Sequence, residues 1–234
     1  MKDRKEHYVN EIYIKRSRYL KPKENFQKLI NILKKDKPKK KFTLLDIGCA
    51  NGELLFNIKK NFKESILTGI DVDKSLLKKA KKYCPDDIKF KEGDISSKNL
   101  KVGKFDYVIC CGVLSIFTNG DLVLKNLNKQ TKKKGKIFIF DSLNKYSYNL
   151  HIKANNLKNA KKDVLYKNVY SLKFIEKFFK KINKKVKIFP FFLKTNLKIN
   201  KNNFIYNWTE ILSKKKIVTS GLGLIQYQFW LKIF

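Results

Sequence analysis

The stretch that decides the fold is residues 44–52, Leu-Leu-Asp-Ile-Gly-Cys-Ala-Asn-Gly. The apolar, β-prone run that leads into it predicts a buried strand. Small residues then recur at every second position (Gly48, Ala50 and Gly52), and such a turn lets the backbone come close to a ligand. The helical spacing of the apolar residues in 53–62 predicts a helix directly afterwards. A strand, a turn of small residues and a helix in this order indicate a nucleotide-type cofactor site.

A second acidic residue supports this interpretation. Asp71 lies 19 residues after Gly52, at the end of the strand-like run 66–70. A carboxylate there can accept hydrogen bonds from both hydroxyls of a ribose. The turn lacks the Gly-x-Gly-x-x-Gly spacing of a dinucleotide site, so it suits a ligand without a pyrophosphate.

Strand-like and helix-like segments alternate along the chain. Strands are predicted at 41–47, 65–71, 87–94, 105–111 and 136–141, and helices at 53–62, 73–82 and 121–131. Asp73 and Ser171 are predicted helix caps, and two closing strands are predicted at 186–192 and 224–234. This alternation predicts an α/β fold with a parallel sheet and helices on both faces. One or two amphipathic helices are predicted within 8–36, and a loop or short-helix insertion at 142–168.

Composition narrows the class of protein. The 234 residues suit one α/β domain with modest extensions, and no apolar run is long enough to span a bilayer. The first six residues lack a signal-peptide core, so a cytoplasmic protein is expected. The four cysteines form no Cys-x-x-Cys pair or Cys/His cluster, which predicts buried, reduced thiols and no metal site.

The net charge of +34 suggests an anionic partner, but the kind of basic residue argues against nucleic-acid reading. Only Arg4, Arg16 and Arg18 are arginines, and the lysines are scattered among abundant Asn, Ile, Phe and Tyr. That pattern is typical of an AT-rich coding sequence, whereas proteins that read nucleic acid favour arginine. Codon bias does not explain why Asp and Glu total only 20. RNA, a phosphorylated or acidic glycan, or a membrane surface therefore stays an alternative partner.

The 44–52 segment, in register with Asp71, resembles motif I of the class I S-adenosylmethionine-dependent methyltransferases. The usual motif is an acidic residue followed by Gly-x-Gly-x-Gly, and Ala50 replaces the middle glycine here. The resemblance covers residues 40–141 well and the remainder loosely. It implies a Rossmann-like, seven-stranded, mostly parallel sheet whose last strand is antiparallel. It also implies an N-terminal helical segment (1–38) over the cofactor site and a methyltransferase domain (39–234) in which 142–168 is a substrate-side insertion.

The resemblance also assigns residues to the cofactor S-adenosylmethionine. The set predicted to face its methionine part is Asp46, Gly48, Cys49, Ala50, Asn51 and Gly52. The set predicted around the ribose and adenine is Asp71, Val72, Asp94 and Ile95. Cys111 and Gly112 would lie near the sulfonium, and Arg18 would pair with the methionyl carboxylate. The alternatives are that Asp46 or Asp94 only caps a loop and that Arg18 is a solvated surface residue.

The acceptor is less well defined, because a methyl group on a sulfonium is already activated and the family shares no catalytic residue. Residues 111–117 lack the Asn-Pro-Pro-Tyr type of motif common in enzymes that methylate nucleobase amines. They look more like enzymes acting on small molecules and sugars, and parts of 208–231 resemble bacterial methyltransferases encoded with surface-polysaccharide (capsule) genes. The leading hypothesis is therefore O-methylation of a sugar or phosphorylated sugar, which gives a small-molecule or glycan acceptor.

Candidates for the base that deprotonates such a hydroxyl are His151 and Asp141, with Tyr146 and Tyr148 comparable. His151 as an inconsequential surface residue is the alternative for that position. Two other functions remain open. One is an RNA methyltransferase that uses the basic surface, and the other is a binding protein with a relic cofactor pocket.

Overall fold

The computed structural model describes residues 18–155, 164–198, 208–212, 214–220 and 224–234. The predictions made for residues 1–17, including those on Arg4 and Arg16, lie outside these ranges.

Eleven strands are described. In chain order they are β1 (Thr43–Ile47), β2 (Ile66–Asp71), β3 (Lys89–Glu92), β4 (Phe105–Cys111), β5 (Thr131–Ser142), β6 (Leu150–Asn155), β7 (Val164–Val169), β8 (Val186–Phe191), β9 (Trp208–Leu212), β10 (Lys215–Thr219) and β11 (Gln228–Ile233). Seven of them form the central sheet, in the order β3-β2-β1-β4-β5-β11-β8. Neighbouring strands among β1 to β5 are parallel, whereas β11 is antiparallel to both β5 and β8. The predicted Rossmann-like sheet with an antiparallel last strand is confirmed.

Within the described ranges, five α-helices cover the two faces of this sheet. They are α1 (Glu24–Lys35), α2 (Glu53–Asn61), α3 (Lys74–Tyr83), α4 (Gly120–Lys129) and α5 (Leu172–Lys180). The apolar sides of α1, α2 and α3 pack on one face, and those of α4 and α5 pack on the other. The predicted caps are present, since Asp73 and Ser171 accept hydrogen bonds from backbone N–H groups of α3 and α5.

The prediction of a loop or short helix at 142–168 was wrong. In the described part of this segment, β6 and β7 pair as an antiparallel hairpin, with His151 opposite Asn168 and Ile152 opposite Lys167. Residues 150–155 do alternate between apolar and polar side chains, but the polar pair Lys167-Asn168 breaks this two-residue period in β7. The structure also starts β5 at Thr131 and not at 136, directly after α4 ends at Lys129.

Helix α1 is anchored to the sheet beside the motif I turn. Asp36, at its C-terminal end, accepts hydrogen bonds from Lys136 and Lys232 and from the hydroxyl of Tyr107. Trp230 of β11 donates its indole N–H to the backbone oxygen of Asn25 at 3.0 Å. These contacts place the start of α1 over the carboxyl ends of β1 and β4. Within the described ranges, no helix has the length and hydropathy needed to cross a bilayer.

Candidate cofactor and active site

The motif I turn wraps around the end of β2. The N–H groups of Gly48 and Cys49 both donate to the backbone oxygen of Ile70, at 2.8 and 3.0 Å. Gly48, Ala50 and Gly52 all have positive φ, at +70°, +48° and +80°. A side chain at such a φ is strained, so the position of Ala50 favours the glycine that the usual motif carries.

The motif glycines make room mainly for the protein itself. A Cβ at Gly48 would lie 2.4 Å from Cγ2 of Val113, and one at Gly52 would lie 2.7 Å from Sγ of Cys84. A Cβ at Gly112, after β4, would meet nothing within 4 Å. Gly112 is therefore the glycine that borders open space, where a ligand can approach the backbone.

Asp71 ties the turn to the end of β2. Its Oδ2 accepts from the N–H of Ala50 at 2.8 Å, and its Oδ1 accepts from the N–H of Asp73 at 2.9 Å. Burial raises the pKa of this carboxyl, although the two N–H donors oppose the rise. Each carboxylate oxygen has further acceptor capacity, so the half-buried group can still bind a ribose hydroxyl.

A cavity of about 560 Å³, open solvent included, lies at this edge of the sheet. Seven of the residues predicted to bind cofactor line it: Asp46, Gly48, Cys49, Ala50, Asn51, Cys111 and Gly112. Six residues that were not predicted also line it: Lys23, Asn25, Phe26, Glu53, Leu54 and Phe140. Ligands of open α/β sheets bind at this location, beyond the carboxyl ends of the strands.

Glu53 carries an acceptor that the described protein leaves unsatisfied. The side chain is buried, and its Oε1 accepts from the backbone N–H of Arg18 at 2.8 Å and from Nδ2 of Asn51 at 3.2 Å. Its Oε2 is buried with no hydrogen-bond partner among the described residues. A buried, unpartnered carboxylate oxygen is costly, and a ligand ammonium in the cavity would satisfy it.

Lys23 and Asp46 complete the charged lining. Burial lowers the pKa of Lys23, and the negative charge of Glu53 opposes that change. Asp46 is buried at the end of β1, and burial, reinforced by the charge of Asp71, raises its pKa well above the ordinary value. A cation bound beside Asp46 would favour its ionised form. The cavity therefore fits a ligand that carries an ammonium, a carboxylate and a further positive charge, as S-adenosylmethionine does.

Other predicted cofactor residues lie outside the cavity lining. Arg18 contributes its backbone N–H to Glu53, while Lys23 supplies the cationic side chain that lines the cavity. Asp94 Oδ1 accepts from the N–H and the hydroxyl of Ser96, at 2.8 and 2.6 Å, and so caps its own loop. Ile95 is buried and Val72 is 39% exposed.

The two candidate bases lie in different surroundings. Asp141 is buried at the end of β5, and its oxygens accept from the N–H groups of Ser115 (3.0 Å) and Ser142 (2.8 Å). Burial raises its pKa above the ordinary value. His151 is exposed and lines a second cavity, which shares no described lining residue with the first. Tyr146 and Tyr148 are largely exposed.

Comparison with known proteins identifies the family. The family model described as a methyltransferase domain matches residues 38–207, and the chain belongs to that family. With the fold and motif I, this identifies a class I S-adenosylmethionine-dependent methyltransferase domain, whose cofactor is S-adenosylmethionine. Among the described residues, no group of His, Cys, Asp and Glu could hold a metal ion.

Two curated proteins are similar over part of the chain. The uncharacterised protein RP028 of Rickettsia prowazekii is 33% identical over 102 residues, which are 41% of this chain and 41% of that protein. The 235L protein of Invertebrate iridescent virus 6, provisionally named a methyltransferase, is 31% identical over 101 residues. These cover 43% of this chain and 37% of the viral protein, so the matches span well under half of each relative.

A solved structure supports the fold at low identity. Coclaurine N-methyltransferase, crystallised with N-methylheliamine and SAH, superposes with a TM-score of 0.63 at 14% identity. The superposition covers 79% of this chain and 60% of that one. At this identity the likeness concerns the fold alone.

Proposed function

We propose that the protein transfers a methyl group from S-adenosylmethionine to a hydroxyl of a small molecule, a sugar or phosphorylated sugar of a surface-polysaccharide pathway. The observation that carries the choice of cofactor is the charged cavity beside the motif I turn. Glu53, whose Oε2 is unsatisfied, lines this cavity together with Lys23. The choice of acceptor is supported by residues 111–117, which lack the motif of nucleobase-amine methyltransferases.

The cavity residues divide the cofactor between them. Glu53 Oε2 would accept from the ammonium, and Lys23, in place of Arg18, would pair with the carboxylate. Asp71 would accept from the ribose hydroxyls, with Val72, Asp94 and Ile95 beside the adenine. Cys111 and Gly112 would border the sulfonium. When bound, the cofactor supplies a methyl group that its positively charged sulfur has already activated.

The remaining task of the protein is to align the acceptor and take its proton. Of the two predicted bases, we assign this role to Asp141. It follows Phe140, which lines the cofactor cavity and whose backbone oxygen accepts from the N–H of Gly112 at 2.7 Å. Its raised pKa suits proton transfer nearer to neutral pH. His151 lines the other cavity.

The test is a transfer assay with methyl-labelled S-adenosylmethionine and separate cell fractions of nucleotide sugars and glycans, small metabolites, RNA and protein. Label in the sugar or metabolite fraction supports the proposal. Label in RNA would favour the RNA methyltransferase, and cofactor binding without transfer to any fraction would favour a binding protein.

Asp71→Ala should weaken cofactor binding at least about tenfold, since charged hydrogen bonds are lost. Unchanged affinity would contradict the site assignment.

Two matched variants in the same assay separate the candidate bases. Asp141→Asn should slow transfer about 10²–10⁴-fold with cofactor affinity unchanged, because only the proton acceptor is removed. His151→Gln should leave the rate at saturating acceptor within about twofold. The reverse pattern would place the reacting hydroxyl beside the second cavity.

A further inference from the structure

A buried amide holds an exposed imidazole at the second cavity. The side chain of Asn168 on β7 is buried, and its Oδ1 lies 2.6 Å from Nδ1 of His151 on β6. Its Nδ2 donates to the backbone oxygen of Ser115 at 3.1 Å. Because a carbonyl oxygen only accepts, the contact with Ser115 fixes which end of the amide is the nitrogen. Oδ1 therefore accepts from Nδ1–H, and neutral His151 keeps its lone pair on Nε2.

The cavity beside His151 is an open depression of about 580 Å³, open solvent included, at the start of α4. Tyr170 and Phe174 form an aromatic wall, with rings stacked at a centroid distance of 5.1 Å. The hydroxyl of Tyr170 donates to the backbone oxygen of Phe117 at 2.6 Å, which holds the wall in place. The His151 ring meets that of Tyr170 edge-on, so the imidazole is fixed on two sides.

The chemistry of this lining selects one class of ligand. Nε2 of His151 and the carboxylate of Asp121 both accept hydrogen bonds, which favours a ligand that donates them. Asp121 lies in the first turn of α4 and offsets the positive end of that helix, which disfavours an anion. Tyr170 is almost fully buried, so the partly exposed ring of Phe174 provides the apolar surface for the C–H face of a ring.

We propose that this cavity binds a neutral, hydroxyl-rich ligand, a sugar unit, and that Asn168 is the positioning residue that presents Nε2 of His151 to one of its hydroxyls. The site is separate from the cofactor cavity, so the inference does not depend on methyl transfer. If the proposed function also holds, the sugar unit would be a part of the acceptor distant from the methylated hydroxyl.

The tautomer of His151 is directly measurable, because His7 is the other histidine of the chain and His7→Gln leaves a single imidazole. In the ¹⁵N-histidine NMR spectrum of that variant at pH 8, we expect a protonated Nδ1 and an unprotonated Nε2. Asn168→Leu, which lacks the acceptor, should return the ring to the solution mixture dominated by Nε2–H. Asn168→Asp keeps an acceptor and should retain Nδ1–H, which also covers the case in which the leucine variant fails to fold. A dominant Nε2–H tautomer in the parent would overturn the proposal.

The ligand class is tested on the same resonance without cofactor, using methyl α-D-glucopyranoside, myo-inositol and glucose 1-phosphate as probes. We expect a saturable shift with at least one neutral probe, weakened about fivefold or more by Asp121→Asn. Asp86→Asn, on an exposed loop outside the cavity, is the matched control and should bind like the parent. Tighter binding of the phosphate than of both neutral probes, or no saturable shift with either neutral probe, would overturn the proposal.

Discussion

Asp46 lies at the carboxyl end of β1, almost fully buried and close enough to Asp71 for their charges to interact. Its ionised form is disfavoured by burial and by that neighbouring charge. In the ligand-free protein the group therefore lowers stability at neutral pH, while beside a bound cation the same charge contributes to affinity. The charge of Asp46 therefore has opposite effects on the stability of the ligand-free protein and on cofactor affinity.

Asp46→Asn tests this opposition. Since the folded-state pKa of Asp46 is raised, its contribution to stability is fully present below the unfolded pKa of about 3.9 and is lost as pH rises through the folded pKa. The ligand-free variant should thus be more stable than the parent at pH 8, by about 1 kcal/mol or more. It should also bind S-adenosylmethionine more weakly. Urea unfolding at pH 4 and pH 8 and calorimetric titration measure the two effects.

Asp86→Asn is the control for Asp46→Asn, because it removes one exposed carboxylate that does not line the cofactor cavity. It should change neither quantity. A variant Asp46→Asn that is less stable than the parent at pH 8 would show that the carboxylate is favourably held in the ligand-free protein.

Among single residues, some members of the cofactor site could be predicted from the sequence and others could not. The turn residues and Asp71 could be predicted from the sequence, because their spacing is set by a strand, a turn and a helix. Glu53 directly follows Gly52, and an acid in the first helical turn is ordinarily explained by the helix dipole. Lys23 is one of many lysines, and only its burial by the fold distinguishes it. Asn168 could not be selected, because its role depends on a cross-strand partner and on Ser115.

Among the elements, α1 depends on an ion cluster at its C-terminal end. Burial alone would raise the pKa of Asp36, but hydrogen bonds from Lys136 and Lys232 hold it below its ordinary value. These partners belong to β5 and β11, so one carboxylate joins the helix to two strands. The helix in turn carries Asn25 and Phe26 to the cofactor cavity.

Asp36→Asn should reduce the free energy of unfolding by about 3 kcal/mol at pH 7, because two partly buried lysines lose their counter-ion. A lowered carboxyl pKa gives stability that is present above the unfolded pKa of about 3.9 and is lost as pH falls through the folded pKa. The difference between parent and variant should therefore narrow below about pH 4. Urea unfolding across this pH range measures it.

The exposed pair of Lys74 and Glu92 provides the control for Asp36→Asn. Exposed ion pairs contribute little, so Glu92→Gln should leave stability essentially unchanged. Equal effects of the two substitutions would mean that Asp36 stabilises no more than a surface charge does.

The elements differ in how far sequence alone could predict them. Strands β1, β2 and β4 are buried on both faces, so they form apolar runs that stand out between helical periods. The hairpins β6–β7 and β9–β10 lie outside the central sheet, and their polar residues leave them without the continuous apolar run that marks a strand buried on both faces. Their partners are set by tertiary pairing, which a local pattern does not encode.

For the molecule as a whole, the outstanding property is charge, with 54 basic and 20 acidic residues. Even if every acid had a lysine partner, most lysines would face other positive charges. Such self-repulsion destabilises the compact state and is screened by salt, with a Debye length of about 10 Å at 0.1 M. If the charge reflects codon usage alone, the surface should respond to ionic strength and not to the kind of anion.

We therefore expect the melting temperature to rise by several degrees between about 0.05 and 0.5 M NaCl. At 0.05 M salt, an oligouridine and a polyglutamate of equal charge should stabilise the protein to similar extents. Both stabilising effects should decrease together as the salt concentration increases, because both depend on counter-ion release. Stabilisation by oligouridine far beyond that by polyglutamate would show that the basic surface recognises RNA, and the methyl acceptor would then have to be sought there and not among sugars.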